Sequence, residues 1–488
     1  MEQLLDNELR ISLDCDPAFR PPARYALATL AMIAGYRVRF VVSASHIHYG
    51  NAANGEALWL PASPDAPRLL RRERLAPEAA DITVAGRRVL SLFPVADVPI
   101  PTDIVAAAFF FLSLHEEWTA GRHDGFGRVL ASESLLGRRG ESDRPVVSEY
   151  ALLLRVLLGA TAEGSARYDG FSAAAVLTHD IDYLSKFTPG LLFREVVKNF
   201  LFNRTRTGFA DRMLRLREYL AFRQREKDPY VLSIARMLEV ERRLGITGSW
   251  LFKAGGTDKR DVTYSLRSTR ARDILALLRE AGHDIGLHPS FHAHTDASML
   301  AREARRLRRA TGEELRSIRQ HYLRFVYPQT WRQQAAEGFT VDSTLGFAEQ
   351  EGFRNGMCHP FLPWDLETGS PIPLWELPLT VMDGTLAFYR GLSPRDAGRR
   401  IAGLLDVTAS HGGAAVLLFH NTTYDAHDFP GWGTVFEDAA SRVADGRFLT
   451  ASLPGTVQAW LRSSGYSSTG EFLQVINSEP VDSSLHFG

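Results

Sequence analysis

From about residue 166 onward the sequence predicts a parallel α/β fold, either a sheet or a (β/α) barrel, preceded by a smaller mixed α/β region over 1–165. Three observations predict it. Short runs of small and β-branched apolar residues alternate with amphipathic helical stretches of about 10–15 residues. The helical stretches are stopped by Gly245, Gly282, Gly338 and the pair Gly412-Gly413. Polar residues suited to chemistry then follow the apolar runs, where parallel α/β folds gather their sites.

The elements follow in order. In the N-terminal region, strand-like runs are Arg37–Val42, Ala57–Leu60, Ile82–Val84 and Val89–Phe93. A helix is expected over Thr102–Trp118 with Asp103 near its start, then a Gly- and Arg-rich loop (Gly121–Arg144) and a helix near Tyr150–Leu158. The boundary falls near Ala160–Tyr168. Beyond it, strand Ala173–Leu177 runs into Thr178-His179-Asp180-Ile181-Asp182, followed by a basic helical insert near 186–230. Helix Val231–Leu244, strand Thr247–Phe252, helix Thr269–Ala281 and strand Asp284–Leu287 lead to His288. A helix from Asp296 to about Thr311, the segment Ile318–Phe325, helix Gln329–Glu337 and strand Phe339–Ser343 come next. Helix Pro394–Ser410 and strand Ala414–Phe419 end at His420, and the Ser-rich tail, 466–488, is expected to be loose.

Composition narrows the function. With 56 basic against 57 acidic residues and a net charge of −1, the chain is not a bulk polyanion binder. The basic stripe Arg204–Arg225 reads as an amphipathic surface helix. Two cysteines, Cys15 and Cys358, exclude a disulfide framework or a Cys-based zinc module. The acidic N-terminus lacks the basic and apolar regions of a secretory signal, so a cytoplasmic protein without a transmembrane segment is expected. Of 15 histidines, eleven lie after residue 166, several at expected strand ends.

Each candidate has a bland counterpart. Asp180 and Asp182 are two carboxylates on one side of an extended segment, fit for one cation or for a ligand and a base, but also for an Asx turn. His288 and His292, with Pro289 suited to the first position of a helix, would face one way one turn apart, as a metal requires; incidental surface His is the alternative. His294 is a further choice. Arg319 near a site should be bonded to a carboxylate, and His420 is either a core histidine or a proton donor.

Taken together, THDIDY (178–183), GLHPS (286–290), RQHYLRF (319–325), DSTLGF (342–347) and LLFHN (417–421) resemble, in order, the motifs of polysaccharide deacetylases, the NodB-homology or carbohydrate esterase family 4 enzymes. GFRNG (352–356) and FFFLSLHEEW (109–118) are similar to a bacterial subgroup with an additional N-terminal domain of unknown function. The resemblance implies a distorted (β/α) barrel of the NodB-homology type over 166–465. It implies metal-dependent removal of an N-acetyl group from an amino sugar in a glycan or glycan precursor. Asp180 would be general base, with Arg319 orienting it, and Asp182, His288 and His292 metal ligands, the two Asp roles being exchangeable. His420 would be the acid, and Asp342 carries the fourth motif, whose usual Trp is missing here; Phe347 or Trp331 would supply the apolar wall. His321, Tyr322 and Arg354 are substrate-binding candidates. Trp331 and Trp375 are candidates to stack on sugar faces, with a core role as the alternative. The implied cofactor is a divalent metal, Zn²⁺ foremost, with Ni²⁺ or Co²⁺ as alternatives, and the implied partner an N-acetylated sugar, not nucleic acid. A noncatalytic glycan-binding protein on a degraded barrel, or a D-x-D glycosyltransferase, are the competing readings.

Overall fold

In the computed structural model, which describes residues 7–161, 167–186, 217, 228–426 and 428–480, the N-terminal region is built on a four-stranded parallel sheet. Its strands β1 (Glu8–Asp14), β2 (Arg37–Phe40), β3 (Ile47–Gly50) and β4 (Leu58–Pro61) lie in the order β2-β1-β3-β4. β1 and β3 fall outside the runs identified from sequence, since charged residues interrupt the first and His48 the second. β5 (Ala80–Val84) and β6 (Arg87–Ser91) form an antiparallel hairpin. Asp103 is the expected helix cap: its Oδ1 accepts the N–H of Val105 and of Ala106 at 3.0 and 2.8 Å. The helix it starts, Ile104–Leu112, ends earlier than expected, because Leu114 turns left-handed (φ 47°) before the short helix His115–Trp118.

The second region is a ring of parallel strands. β7 (Ala173–Ile181) is buried along all nine residues; its Ala-Ala-Ala start lets neighbours pack closely on both faces. β8 (Ser249–Phe252), β9 (Asp284–Leu287), β10 (Ser317–Ile318) and β11 (Val341–Asp342) follow on one side. After a small antiparallel hairpin, β12 (Trp364–Asp365) with β13 (Ser370–Pro371), come β14 (Trp375–Glu376), β15 (Leu379–Met382), β16 (Ala414–Leu418) and β17 (Phe448–Thr450). The order is β14-β11-β10-β9-β8-β7-β16-β15, every pair parallel, with β17 pairing the first half of β7. β14 and β15 stand at opposite ends of that order, yet only Leu377 and Pro378 separate them in the chain. The sheet is therefore closed by one interrupted strand: Leu377 N–H bonds to Asp342 O (2.9 Å) and Leu379 N–H to Leu345 O (3.0 Å), while Pro378 has no N–H to donate. This is a distorted (β/α) barrel.

Helices alternate with the strands, and Asp228, Ser268, Asp296 and Ser393 each accept a first-turn N–H. Gly286, two residues before His288, is set by close approach. A Cβ there would lie 2.2 Å from Ser317 Oγ and 2.3 Å from Leu251 Cδ2.

The two regions share one continuous apolar core. Helix Arg20–Ala34 is buried on nearly all sides, because it lies against helices of its own region and also against the barrel, where Tyr25 Oη donates to Leu362 O at 2.5 Å. The composition-based expectation of a loose tail is corrected over its first part. Thr469–Asn477 is a helix capped by Ser468, and burial of Phe472 and Ile476 holds it in place. Nearly all of the expected helical insert near 186–230, including the Arg204–Arg225 stripe apart from Arg217, lies outside the described residues. No helix among the described residues is long and apolar enough to cross a membrane.

Candidate metal centre and its surroundings

Every strand from β7 to β11, and β15 and β16 after them, delivers polar residues at its carboxyl end. Asp180 and Asp182 end β7, Lys253 follows β8, His288 follows β9, and Arg319 and His321 follow β10. Asp342 and Ser343 come from β11, Asp383 from β15, and His420 from β16.

Three of these side chains converge. Asp182, His288 and His321 each offer a ligand atom, all within 4.8 Å of one another. Asp182 Oδ1 lies 3.5 Å from His288 Nε2 and 3.4 Å from His321 Nε2. Both imidazoles are anchored by the opposite nitrogen: His288 Nδ1 bonds to Arg319 O at 2.8 Å, and His321 Nδ1 to Asp261 Oδ1 at 3.1 Å. Placing the ring hydrogen on Nδ1 leaves each Nε2 lone pair aimed at the shared space, as ligating histidines require.

The group fits a divalent cation on two counts. Asp182 Oδ1 is buried without a hydrogen-bond partner, an arrangement that is costly unless a cation satisfies it. Tetrahedral zinc with N and O ligands puts neighbouring ligand atoms about 3.4 Å apart, which matches the two measured edges. Burial alone would raise the Asp182 carboxyl, but His321, His288 and Lys253 hold it well below the usual carboxylate range. Its side chain is still 19% exposed, so the centre is open to a ligand.

Asp180 stands beside this group. Its Oδ2 is 3.6 Å from His288 Nδ1, and its Oδ1 accepts from Arg319 Nη1 at 3.0 Å. Arg319 is fully buried and fully engaged: Nη1 also donates to Thr178 Oγ1 (2.9 Å), Nε to Ser343 O (2.7 Å) and Nη2 to Ser343 Oγ (3.0 Å). The bonds to Thr178 and Ser343 fix the guanidinium, and its one charge-assisted bond fixes the position of Asp180 Oδ1. Opposite, His420 Nε2 lies 3.9 Å from Asp182 Oδ2, while its Nδ1 pairs with Asp383 Oδ1 at 2.7 Å. Asp383 is itself held by the His420 N–H and by Thr423 Oγ1, both at 2.8 Å. Desolvation would lower the His420 pKa, but Asp383, then Asp182 and Asp180, outweigh it and bring it up to about 10. His420 is thus a proton-bearing group facing the two aspartates.

Several sequence-derived candidates fall elsewhere. His292 does not join the cluster: its side chain is 50% exposed and its Nε2 pairs with Asp258 at 3.1 Å. Residues 291–295 form turns instead of a helix, so Phe291 points inward and His292 outward. His294 is buried, but it too lies outside the three-residue group. Trp331 and Trp375 are both core. Trp331 Nε1 donates to Asp342 and Glu376, and Trp375 Nε1 to Thr469, so neither presents a face to a sugar. Arg354 is buried against Glu117 of the N-terminal region (2.6 Å) and Gly346 O, a link between regions. Phe347 is buried under the Arg354 guanidinium. Asp342 lies in the wall, accepting from Thr344 Oγ1 and Trp331 Nε1. Burial raises its pKa to about 6 and the adjoining Glu376 well above its usual range, so the pair holds a proton between them. Tyr322 is half-buried on the rim, its ring 4.4 Å from that of His321.

Sequence reasoning missed Asp383, Asp261 and Lys253. Asp383 carried a readable signal, being a carboxylate directly after an apolar strand. Lys253 ends β8 in the same manner, and its Nζ is 3.4 Å from both Asp261 Oδ1 and His321 Nδ1. Asp261 sits in an irregular loop and had no local signature.

Comparisons with known proteins complete the description. Residues 17–162 match a family of unknown function (DUF7033). No curated protein matches the chain. Among solved structures, the chain is similar to a protein assigned as a polysaccharide deacetylase from Mycobacterium smegmatis, at 19% identity and TM-score 0.41, covering 62% of this chain and 96% of that one. It is similar to Puue allantoinase at 14% identity and TM-score 0.40, over 61% and 93%. A CE4 family pseudoenzyme from Bacillus anthracis matches at 10% identity and TM-score 0.31, over 61% and 72%.

Proposed function

We propose that the protein is a metal-dependent carbohydrate deacetylase that hydrolyses the N-acetyl group of an amino sugar in a glycan or glycan precursor. The observation that carries this reading is the open Asp182–His288–His321 group with Asp180 on one side and His420 on the other. One base, one acid and one cation-binding triad are what amide hydrolysis needs within reach of a single carbonyl carbon.

A divalent metal, zinc foremost, held by Asp182, His288 and His321 would supply Lewis-acid polarisation of the amide carbonyl and acidify water. Asp180, clamped by Arg319, is placed to take a proton from the attacking water. His420, kept protonated by Asp383, is placed to deliver a proton to the departing sugar amine. Because Asp180 comes from β7 and His420 from β16, adjacent strands of a rigid sheet fix their separation.

The test is acetate release from a panel of N-acetylated amino sugars, their oligomers and UDP-linked forms, with and without added Zn²⁺, Ni²⁺ or Co²⁺. Metal-stimulated acetate release supports the reading. A chain that binds zinc yet leaves every acetylated sugar intact would refute it and favour a noncatalytic glycan-binding role.

A further inference from the structure

The turn that carries His321 is conformationally expensive. Tyr322 and Leu323, directly after it, both adopt left-handed backbone, φ 60° and φ 54°, a region that bulky L-residues seldom occupy. Residues held there are strained and persist only where their surroundings over-determine them.

Those surroundings come in large part from the other region of the chain. The segment Asp124–Arg128 reaches the barrel rim, and the Phe126 ring stacks on Tyr322 at 5.1 Å between centroids and 14° between planes. Arg128, 6% exposed, donates Nη1 to the Tyr322 carbonyl at 3.0 Å and Nη2 to Tyr389 Oη at 3.1 Å. Asp124 sets the segment's shape: its Oδ1 accepts the N–H of Phe126 and of Arg128 at 2.8 and 2.9 Å, and its Oδ2 accepts Arg128 Nε at 2.7 Å. The barrel answers in kind, with Arg324 donating to Phe126 O (2.7 Å) and Phe291 O (2.6 Å). A buried guanidinium held by Asp124 and Tyr389 with one N–H on the Tyr322 carbonyl, next to a ring stacked on the same residue, is a clamp on that residue's conformation.

We infer that Phe126 and Arg128 of the N-terminal region are positioning residues for the metal-binding turn, holding Tyr322 left-handed so that His321 Nε2 faces Asp182. The inference rests on the metal-centre reading above. It gives the N-terminal region a task in the barrel's site: supporting one ligand of the metal.

The experiment uses the full chain and two readouts. Zinc affinity is measured by competition with a chromophoric chelator, and amide hydrogen exchange is followed over 318–325 without metal. Phe126→Ala and Arg128→Ala are expected to weaken zinc binding about 10-fold or more, the effect of losing support behind a ligating histidine, and to speed exchange over 318–325. Phe126→Tyr keeps the stacked ring and should retain wild-type affinity and exchange. Unchanged affinity and exchange in both alanine variants overturn the inference, as does a Phe126→Tyr variant as defective as Phe126→Ala. If Arg128→Ala fails to fold, the two Phe126 variants decide. If the wild-type chain binds no zinc, the metal reading falls, but exchange over 318–325 still tests the clamp by the same criteria.

Discussion

β7 sends adjacent side chains to opposite faces, and each face holds a carboxylate with two imidazoles. On the inner side are Asp182, His288 and His321; on the outer side, under helix Pro229–Leu244, are Glu241, His179 and His283. The residue types are alike and the anchoring differs. Both nitrogens of His179 are spent, Nδ1 on Phe419 O (2.9 Å) and Nε2 on Glu241 Oε1 (3.1 Å), and His283 Nδ1 accepts the Gly248 N–H at 3.0 Å. Glu241 and His179 are fully sealed from solvent. In the inner group each imidazole is tied by one nitrogen only, and the other meets an oxygen with no partner; in the outer group this holds for His283 alone, whose Nε2 lies 3.8 Å from the unpartnered Glu241 Oε2. A cluster of ligand-type residues becomes a site when its unspent valences are also open to a ligand, as the 19% exposed Asp182 is and the sealed Glu241 is not.

The strongest way to break this distinction is through Asp180. Asp180→Asn keeps the shape and the Arg319 contact but removes the proposed base, so acetate release should fall about 10²–10⁴-fold while zinc content stays at the wild-type level. Loss of zinc instead would make Asp180 a ligand and merge two roles separated above.

A third buried carboxyl group sharpens the electrostatic half of the contrast. Asp182, beside imidazoles and an ammonium, is held below its usual range, whereas burial pushes Asp342 up to about 6. The folded chain therefore holds its extra proton where the unfolded chain has lost it. Stability from the Asp342 proton is complete below the ordinary Asp value of 3.8 and is lost as pH rises through about 6. Asp342→Asn should flatten that slope, removing a decline on the order of 3 kcal/mol, as read from urea unfolding at pH 4 and pH 7. An unchanged slope would show that the pair does not share a proton.

The outer cluster gives the smaller effect. Glu241→Gln weakens a buried partner of His179 and should cost about 1–3 kcal/mol of stability, with zinc affinity and acetate release unchanged. If it stripped zinc, the two faces of β7 would be one functional unit.

Much of this was legible before the structure. β9 has the bounds read from sequence, Asp284–Leu287, and Asp180, His288 and His420 all end or follow strands as expected, while the short β10 before Arg319 was not foreseen. An apolar run closed by a polar residue is a local signal, and parallel barrels convert it into a shared rim. What was illegible is non-local. His292 satisfied a one-turn spacing only if 288–292 were helical, and inward packing of Phe291 decided otherwise. His321 reaches the centre through a left-handed turn supported from 194 residues away in sequence, which no window of neighbours reveals. Trp331 looked like a sugar platform by size, but its indole N–H is held by two buried carboxyl groups.

The central claim is that His321, not His292, completes the metal centre with Asp182 and His288. Zinc stoichiometry and affinity of His321→Ala and His292→Ala, measured side by side with the wild-type chain, test it most directly. One tightly bound zinc is expected in the wild type and in His292→Ala, and its loss in His321→Ala. Retention of zinc by His321→Ala together with its loss from His292→Ala would contradict it.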